Sequence, residues 1–443
     1  MELESIKNKT VQMILKFSIP SIIAMVFTSF ITIADGFFIG NYIGKEGIAA
    51  VNLGLPILYV YLGVGIMFGV GGIAIAGMAL GAQDLKKSND VFNQTVITVI
   101  IVTVILSILV RVCLGPIMAA IGMETEVAAC FVKYYSIMII AYPVMIVNNT
   151  FGMFIRGEGK PQLFMLINIS IVIINIILDY LFIKWFHLGI EGIATASLIS
   201  LITGAFCMVL FFLKKSSIYK FHKFKFSKHV LRGTVFNGSA EFIGQMSMSI
   251  SMFAYNWVIM RIIGVSGVAA FTIVGYVAYV FSMVIIGFGQ GASPLISFSY
   301  GAEEIELSTK IRKKTNLFVF SSGAAVMVIL FLASGWYGSI FVRNESVAVL
   351  VRSGLKIFMF SFLFSGVNTI TTFYFSSIGK AKDSALISSS RGLVVLLICI
   401  FILPRLFGMT GVWLVAPVTE AFTVVLTYAL IRKNERLLSY PGY

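Results

Sequence analysis

Charge is what this sequence has least of. Only 12% of its 443 residues are Asp, Glu, Lys or Arg, about half the roughly 25% typical of a soluble globular domain. A chain so poor in charge cannot cover itself with a water-soluble surface, and a lipid solvent accounts for the deficit. Cysteine is also scarce. Cys113, Cys130, Cys207 and Cys399 lie in apolar stretches without metal-type spacing and read as small hydrophobes. The three histidines, His187, His222 and His229, form no zinc-like cluster. Walker-type loops ending in Lys-Ser/Thr, HExxH, CxxC and nucleophile elbows are missing, so the sequence predicts neither an enzyme nor a bound cofactor. Acids are fewer than bases, 19 against 33, for a net charge of +14. A nucleic-acid partner is excluded because the Lys and Arg sit in short segments between apolar runs and form no basic domain. The opening MELESIKNKT lacks the basic, apolar and small-residue regions of a cleaved signal and is expected to remain as a tail.

What the chain does have is hydrophobic length. Hydrophobic residues make up 58% of it, and its mean hydropathy is +0.97. A membrane-spanning helix needs about 20 mainly apolar residues. The sequence predicts twelve, near 12–39, 48–80, 92–114, 128–154, 162–184, 190–213, 233–260, 268–299, 314–340, 347–375, 384–404 and 409–431. With the N-terminus placed in the cytoplasm, the inward connections hold 23 of the 33 basic residues, from Lys7, Lys9 and Lys16 to Arg432, Lys433 and Arg436. By the positive-inside rule both termini are expected to be cytoplasmic.

The chain also repeats itself at an offset of 220 residues. From Gly44 and from Gly264 the two segments align without a gap to Ala82 and Ala302, with 13 identities in 39 positions. Gly159-Lys160 and Gly379-Lys380 keep the same offset. Six spans per half is an even number, so the halves enter the membrane from the same side. The expected architecture is an all-α integral membrane protein of two pseudo-symmetric six-helix bundles in parallel repeat. The lobes would cover 1–213 and 233–443, with a basic cytoplasmic linker at 214–232. That linker can touch anionic lipid headgroups, although a solvated orientation signal is the plainer expectation.

Ionisable residues inside the spans need a reason, because a carboxylate at mid-span costs about 2.5–3.5 kcal/mol. Asp35 ends a polar stripe of Ser21, Thr28 and Thr32 in the first span, and Asn168, Asn175 and Asp179 stripe the fifth. By helical rise both acids lie roughly 25–30 Å from the inner ends. Asp35, Asn175 and Asp179, with Thr195 nearby, offer hard oxygens for Na⁺ or a site for a proton. The seventh span carries Asn237, Glu241 and Gln245 one turn apart. Glu241, Arg391 and Glu420 fall roughly 12–16 Å above the inner ends. There Arg391 with Glu420 reads as a structural ion pair, and Glu241 as the less compensated acid, a candidate for coupling or substrate binding. Tyr59, Tyr276, Tyr279 and Met283 are candidates to line a cleft for flat amphipathic molecules, and Gln290 and Asn52 are weaker polar candidates. The repeat partners of Asp35 and Asp179 are Tyr255 and Cys399, so the outer acidic site belongs to the first half alone.

The segments ADGFFIG (34–40), GEGKP (157–161), INIILDYLFI (174–183), GVAAFTIVGYV (267–277) and GVWLVAPVTEA (411–421) resemble multidrug and toxic compound extrusion (MATE) transporters of the bacterial drug-exporter branch. The resemblance implies a V-shaped pair of six-helix lobes; the chain is expected to lie in the bacterial inner membrane and to work as a monomer. It also implies export of organic cations or other drugs in exchange for Na⁺ or H⁺, with cationic amphipathic drugs or metabolites the expected cargo. Cation-site roles transfer to Asp35, Asn175 and Asp179, with Thr195 the nearest match to a sixth-helix threonine. A flippase for a lipid-linked saccharide, also found in this superfamily, is the competing expectation. Such proteins usually carry an arginine-rich cleft, and here Arg391 alone reads as lying well inside.

Overall fold

The computed structural model describes residues 3–121, 123–338 and 345–438. Nearly all of them are helical, and among the described residues no strand occurs. The first half comprises α1 (Leu3–Asn8), α2 (Thr10–Tyr42), α3 (Lys45–Leu53), α4 (Leu55–Gly81), α5 (Leu85–Ile121), α6 (Thr125–Gly157), α7 (Pro161–Lys184) and α8 (Gly189–Lys214). The second comprises α9 (Lys228–Ile262), α10 (Val265–Gly301), α11 (Ile305–Ala333), α12 (Glu345–Phe358), α13 (Ser361–Ser377), α14 (Ala381–Ser389) and α15 (Val395–Leu438).

Nine described stretches are long and apolar enough to cross a membrane, or ten counting α12 with α13 as one bent span. One of them, Ala381–Arg436, holds two helices joined at Gly408, whose backbone (φ 57°, ψ −135°) leaves the helical region. The polar stripe of Asn237, Glu241 and Gln245 keeps α9 below the apolar threshold, and α9 completes the twelve. Positions 339–340 of the predicted ninth span lie outside the described residues.

Three spans that read as continuous in sequence are broken. The second divides at Gly54, where the Tyr135 ring fills the space a β-carbon would need, 2.0 Å from it. The Tyr135 hydroxyl donates to the Val51 carbonyl at 2.9 Å. In the tenth, α12 and α13 meet at 51°. The eleventh carries a π turn, Ser390–Val394, between α14 and α15. The extra residue of a π turn rotates the register, a device common at functional positions.

The halves meet along a seam of small residues. A β-carbon on Gly77 would lie 2.1 Å from Ser297 Oγ, and one on Gly81 would lie 2.1 Å from the Phe298 carbonyl oxygen and 2.9 Å from the Gly301 carbonyl carbon. Positions 77 and 297, like 81 and 301, are 220 apart. A residue that touches its own repeat partner must stand close to the symmetry axis. Away from the axis the contacts come in matched pairs. Gly71 packs on Thr234 and Gly238, and its partner Gly291 packs on Phe17 and Ser18, where Ser18 is the repeat partner of Gly238. These backbone-to-backbone approaches lie toward the ends of α4 and α10 that face the linker. With no side chain between them, helices approach closely and dispersion replaces the missing hydrophobic drive in lipid.

The linker is held down more firmly than a solvated signal requires. Glu158 accepts from the Ser217 amide at 2.7 Å and from the Ser216 hydroxyl. His222 Nε2 meets Asp90 at 2.7 Å, and Gln94 exchanges hydrogen bonds with the Ser227 backbone at 2.8 and 3.0 Å. The linker backbone therefore belongs to the first lobe, while Lys220, Lys223 and Lys225 stay exposed.

Replacing Gly81 by Val should force the seam apart at the linker face, because overpacking of a close contact costs about 1–3 kcal/mol. Spin labels placed across α4 and α10 should report a longer or broader distance. Gly275→Ala, at a site with nothing within 4 Å of the added carbon, should leave it unchanged.

Candidate functional site

Helix α2 packs on α7, and α7 on α8, which brings three polar stripes to one buried point. Asp35 comes from α2, Asn175 and Asp179 from successive turns of α7, and Ser197 from α8. Asn175 and Asp179 are fully buried. Asn175 Nδ2 donates to Ser197 Oγ at 3.2 Å, and Ser197 Oγ faces Asp35 Oδ2 at 3.5 Å. The two carboxyl groups stand within hydrogen-bonding reach of each other, with the buried Tyr134 ring beside them.

This cluster is rich in acceptors and short of donors. Asp35 Oδ1, Asn175 Oδ1 and both oxygens of Asp179 are buried without a hydrogen-bond partner among the described residues. Three orphan oxygens on two facing acids, with an amide oxygen beside them, cannot all remain bare with both acids ionised in hydrocarbon. A shared proton or a small hard cation satisfies them, and carboxylate, amide and hydroxyl oxygens are the donor set such a cation takes. Among the described residues no group of three or more His, Cys, Asp or Glu is placed to hold a metal.

The hydroxyl in this cluster is Ser197. Thr195 was the expected one, but it is two residues away on α8, and its Oγ1 donates to the Glu191 carbonyl at 2.7 Å. Two positions on a helix rotate the side chain by roughly 200°, which carries Thr195 off the face that meets α2 and α7. Tyr134 gave no sequence signal, because α6 is rich in aromatics and only packing singles it out.

In the second lobe, Arg391 sits on the π turn. Its Nη2 and Nε donate to Glu420 Oε1 at 2.5 and 3.1 Å, and its Nη1 reaches Thr369. Asn368 Nδ2 donates to Glu420 Oε2 at 2.8 Å, and Thr427 donates to Asn368 Oδ1 at 2.8 Å. Arg391 and Glu420 thus form an ion pair with every contact supported. Glu241 is near enough to feel the Arg391 charge, yet its Oε1 is buried without a partner. Gln245, one turn on, packs beside Gly63 of α4. Tyr279 of α10 lies within hydrogen-bonding reach of Thr32 and next to Tyr59, so it spans the two lobes.

Gln290 is not an open cleft residue. It is buried, and its Oε1 accepts from Arg156 Nη2 at 3.0 Å across the lobe boundary. Arg156, counted in sequence among the basic residues of the inward connections, is not a solvated charge. It is 1% exposed, with its guanidinium 4.3 Å from the Phe164 ring centroid, and its Nε and Nη1 lack partners. Among the described residues Arg156 and Arg312, at 1% and 4% exposed, are the buried arginines, and Arg391 is half-buried. The GEGKP segment that follows Arg156 gave its position the look of a loop.

With this geometry in view, comparisons with known proteins decide the family. The MatE family profile matches residues 20–181 and 242–401, once in each lobe. The chain belongs to the MatE family. This MatE chain is 25% identical over 433 residues to a multidrug export protein MepA of Staphylococcus saprophyticus, covering 96% of this chain and 95% of that one. It is 26% identical over 425 residues to MepA of Staphylococcus haemolyticus, covering 94% and 92%. Among solved structures, an outward-facing multidrug resistance MATE family transporter of the MOP superfamily superposes with a TM-score of 0.92 at 22% identity, covering 96% of both chains. A MOP superfamily transporter from Pyrococcus furiosus, described as having a binding pocket of reversed polarity, gives 0.91 at 23% identity, covering 97% and 96%. At these identities the structures establish a shared MatE fold of two lobes.

Glu420→Gln should strand the Arg391 charge and cost about 2–3 kcal/mol, discounted for the quarter of Arg391 still exposed. Adding Arg391→Met should recover most of that loss. Thermal unfolding of the two variants checks the coupling.

Proposed function

We propose that this chain is a secondary active exporter of organic, cationic amphipathic compounds, driven by inward movement of Na⁺ or H⁺. The observation that carries the reading is the Asp35–Asp179 cluster with its four orphan acceptors. A site built to be satisfied by a transient positive ion is a coupling site. The names of the staphylococcal relatives, multidrug export proteins, support export and drug-like cargo. The Lys and Arg distribution supports cytoplasmic termini; in that orientation the glycine seam would lie on the cytoplasmic side, which suits an outward-facing state.

In this mechanism a cation arrives from outside and binds Asp35 and Asp179. Entry of one charge at 100 mV is worth about 2.3 kcal/mol. Its binding draws α2 toward α7 and α8 through Asp35, Ser197 and Asn175. Because α2 also packs along α10, a shift of α2 reaches the lobe interface and biases the equilibrium between the two states. Cargo would meet Tyr59 and Tyr279 as flat apolar surfaces and Glu241 as the uncompensated acid, a combination that favours amphipathic cations. The arginine-rich cleft of a saccharide-lipid flippase is not supported. Arg391 is engaged by Glu420, and Arg156 lies under Phe164 and Gln290.

Vesicles loaded with ethidium and given separate pH and sodium gradients test this reading. Efflux should respond to one of the gradients, and Asp35→Asn or Asp179→Asn should remove the response at normal membrane expression. Undiminished gradient-driven export in both variants would refute the coupling role.

A further inference from the structure

A shallow, open groove of about 390 Å³ runs along one face of α9 where the helix leaves the linker, lined by that helix's Lys228, Leu231, Arg232, Val235, Phe236 and Ser239. The spacing of these residues, three and four apart, keeps them on a single face over three turns. The face is graded along its length. Lys228 and Arg232 stand exposed on its first turns, Leu231 and Val235 form a half-buried floor against the first lobe's core, and Phe236 is 47% exposed beyond them. Among the described residues neither cation is in an ion pair. The nearest stretch of sequence offers none, since 214–232 carries seven Lys and Arg and no Asp or Glu.

Two unpaired cations at the water edge of an apolar helix face, with an aromatic ring one to two turns deeper, match the profile of one lipid. A phosphate faces Lys228 and Arg232, and an acyl chain lies along Leu231, Val235 and Phe236. We propose that this groove is a specific site for an anionic phospholipid of the leaflet on the linker side. Other exposed cations of the linker, Lys223 and Lys225 among them, are not part of the lining and add general attraction without forming the site. The site touches α9, the helix that carries Glu241 and packs most closely on α4, so an occupied groove bears on the seam where the lobes meet. This inference is independent of the coupling ion and of the cargo.

Basic residues near an anionic surface each contribute about fivefold to binding. Removing both cations should therefore weaken the lipid roughly twenty-fivefold. The test uses the purified full-length chain in neutral detergent, with native mass spectrometry for bound lipid and thermal unfolding for stabilisation. Phosphatidylglycerol should bind one per chain above background and raise the melting temperature, whereas phosphatidylcholine and inorganic phosphate should do neither. Lys228→Gln/Arg232→Gln should lose the retained phosphatidylglycerol, while Lys223→Gln/Lys225→Gln, which change no lining residue, should retain it and weaken it clearly less. The proposal is overturned if phosphatidylcholine is retained equally by the unmodified chain, or if inorganic phosphate alone stabilises it as well. Equal loss in the two double variants would also overturn it, because the attraction would then belong to the whole linker. The unmodified chain alone decides the first two outcomes, so the result does not depend on the variants folding.

Discussion

Two carboxyl groups facing each other inside a bundle that lipid surrounds are the constraint on which the rest of this molecule turns. Asp35 and Asp179 arrive from different helices, and the groups packed around them add one hydroxyl and one amide. The neighbourhood offers too few donors to satisfy the acids, so the charge balance must be completed from outside the protein. On the proposed reading, such a pocket is completed by a proton or a cation, or by a rearranged state. This requirement links the inside of one lobe to the position of the other, because the helix that carries Asp35 is the same one that lies along α10.

Geometry and chemistry are distributed differently over the repeat. The backbone is nearly two-fold, and the seam shows it most clearly, with Gly77 against Ser297 and Gly81 against Gly301 at the axis. Side-chain chemistry breaks the symmetry. Where the first lobe has Asp35 and Asp179, the second has Tyr255 and Cys399. In its place the second lobe carries Arg391, Glu420 and Asn368 closer to the linker side, with Glu241 left partly unsatisfied. Under the proposed coupling, one acid pair in one lobe gives a cation a direction of action that a symmetric pair of sites would not.

Much of this was legible in the sequence, for physical reasons. Lipid imposes length and apolarity on every span, so twelve segments and their parallel repeat could be read directly. Carboxylates in such segments are conspicuous, which is why Asp35, Asp179, Glu241 and the Arg391–Glu420 pair stood out. The parts that stayed hidden depend on angles and contacts. Ser197 and Thr195 differ by two positions, and only the packing of α8 decides which hydroxyl faces α2. The breaks at Gly54 and at Ser390–Val394 do not alter hydropathy, so no window could find them. Arg156 looked like a surface charge because its neighbours in sequence are a turn, while its neighbours in space are Phe164 and Gln290.

Counting the cations taken up at equilibrium by the purified chain tests the central claim most directly, with sodium followed by radioactive tracer and protons by pH-stat. The account predicts one monovalent ion or proton per chain that disappears when Asp35 and Asp179 are both changed to Asn. Retention of neither sodium nor a titrating proton by the unmodified chain would contradict it. So would identical uptake by the doubly substituted chain.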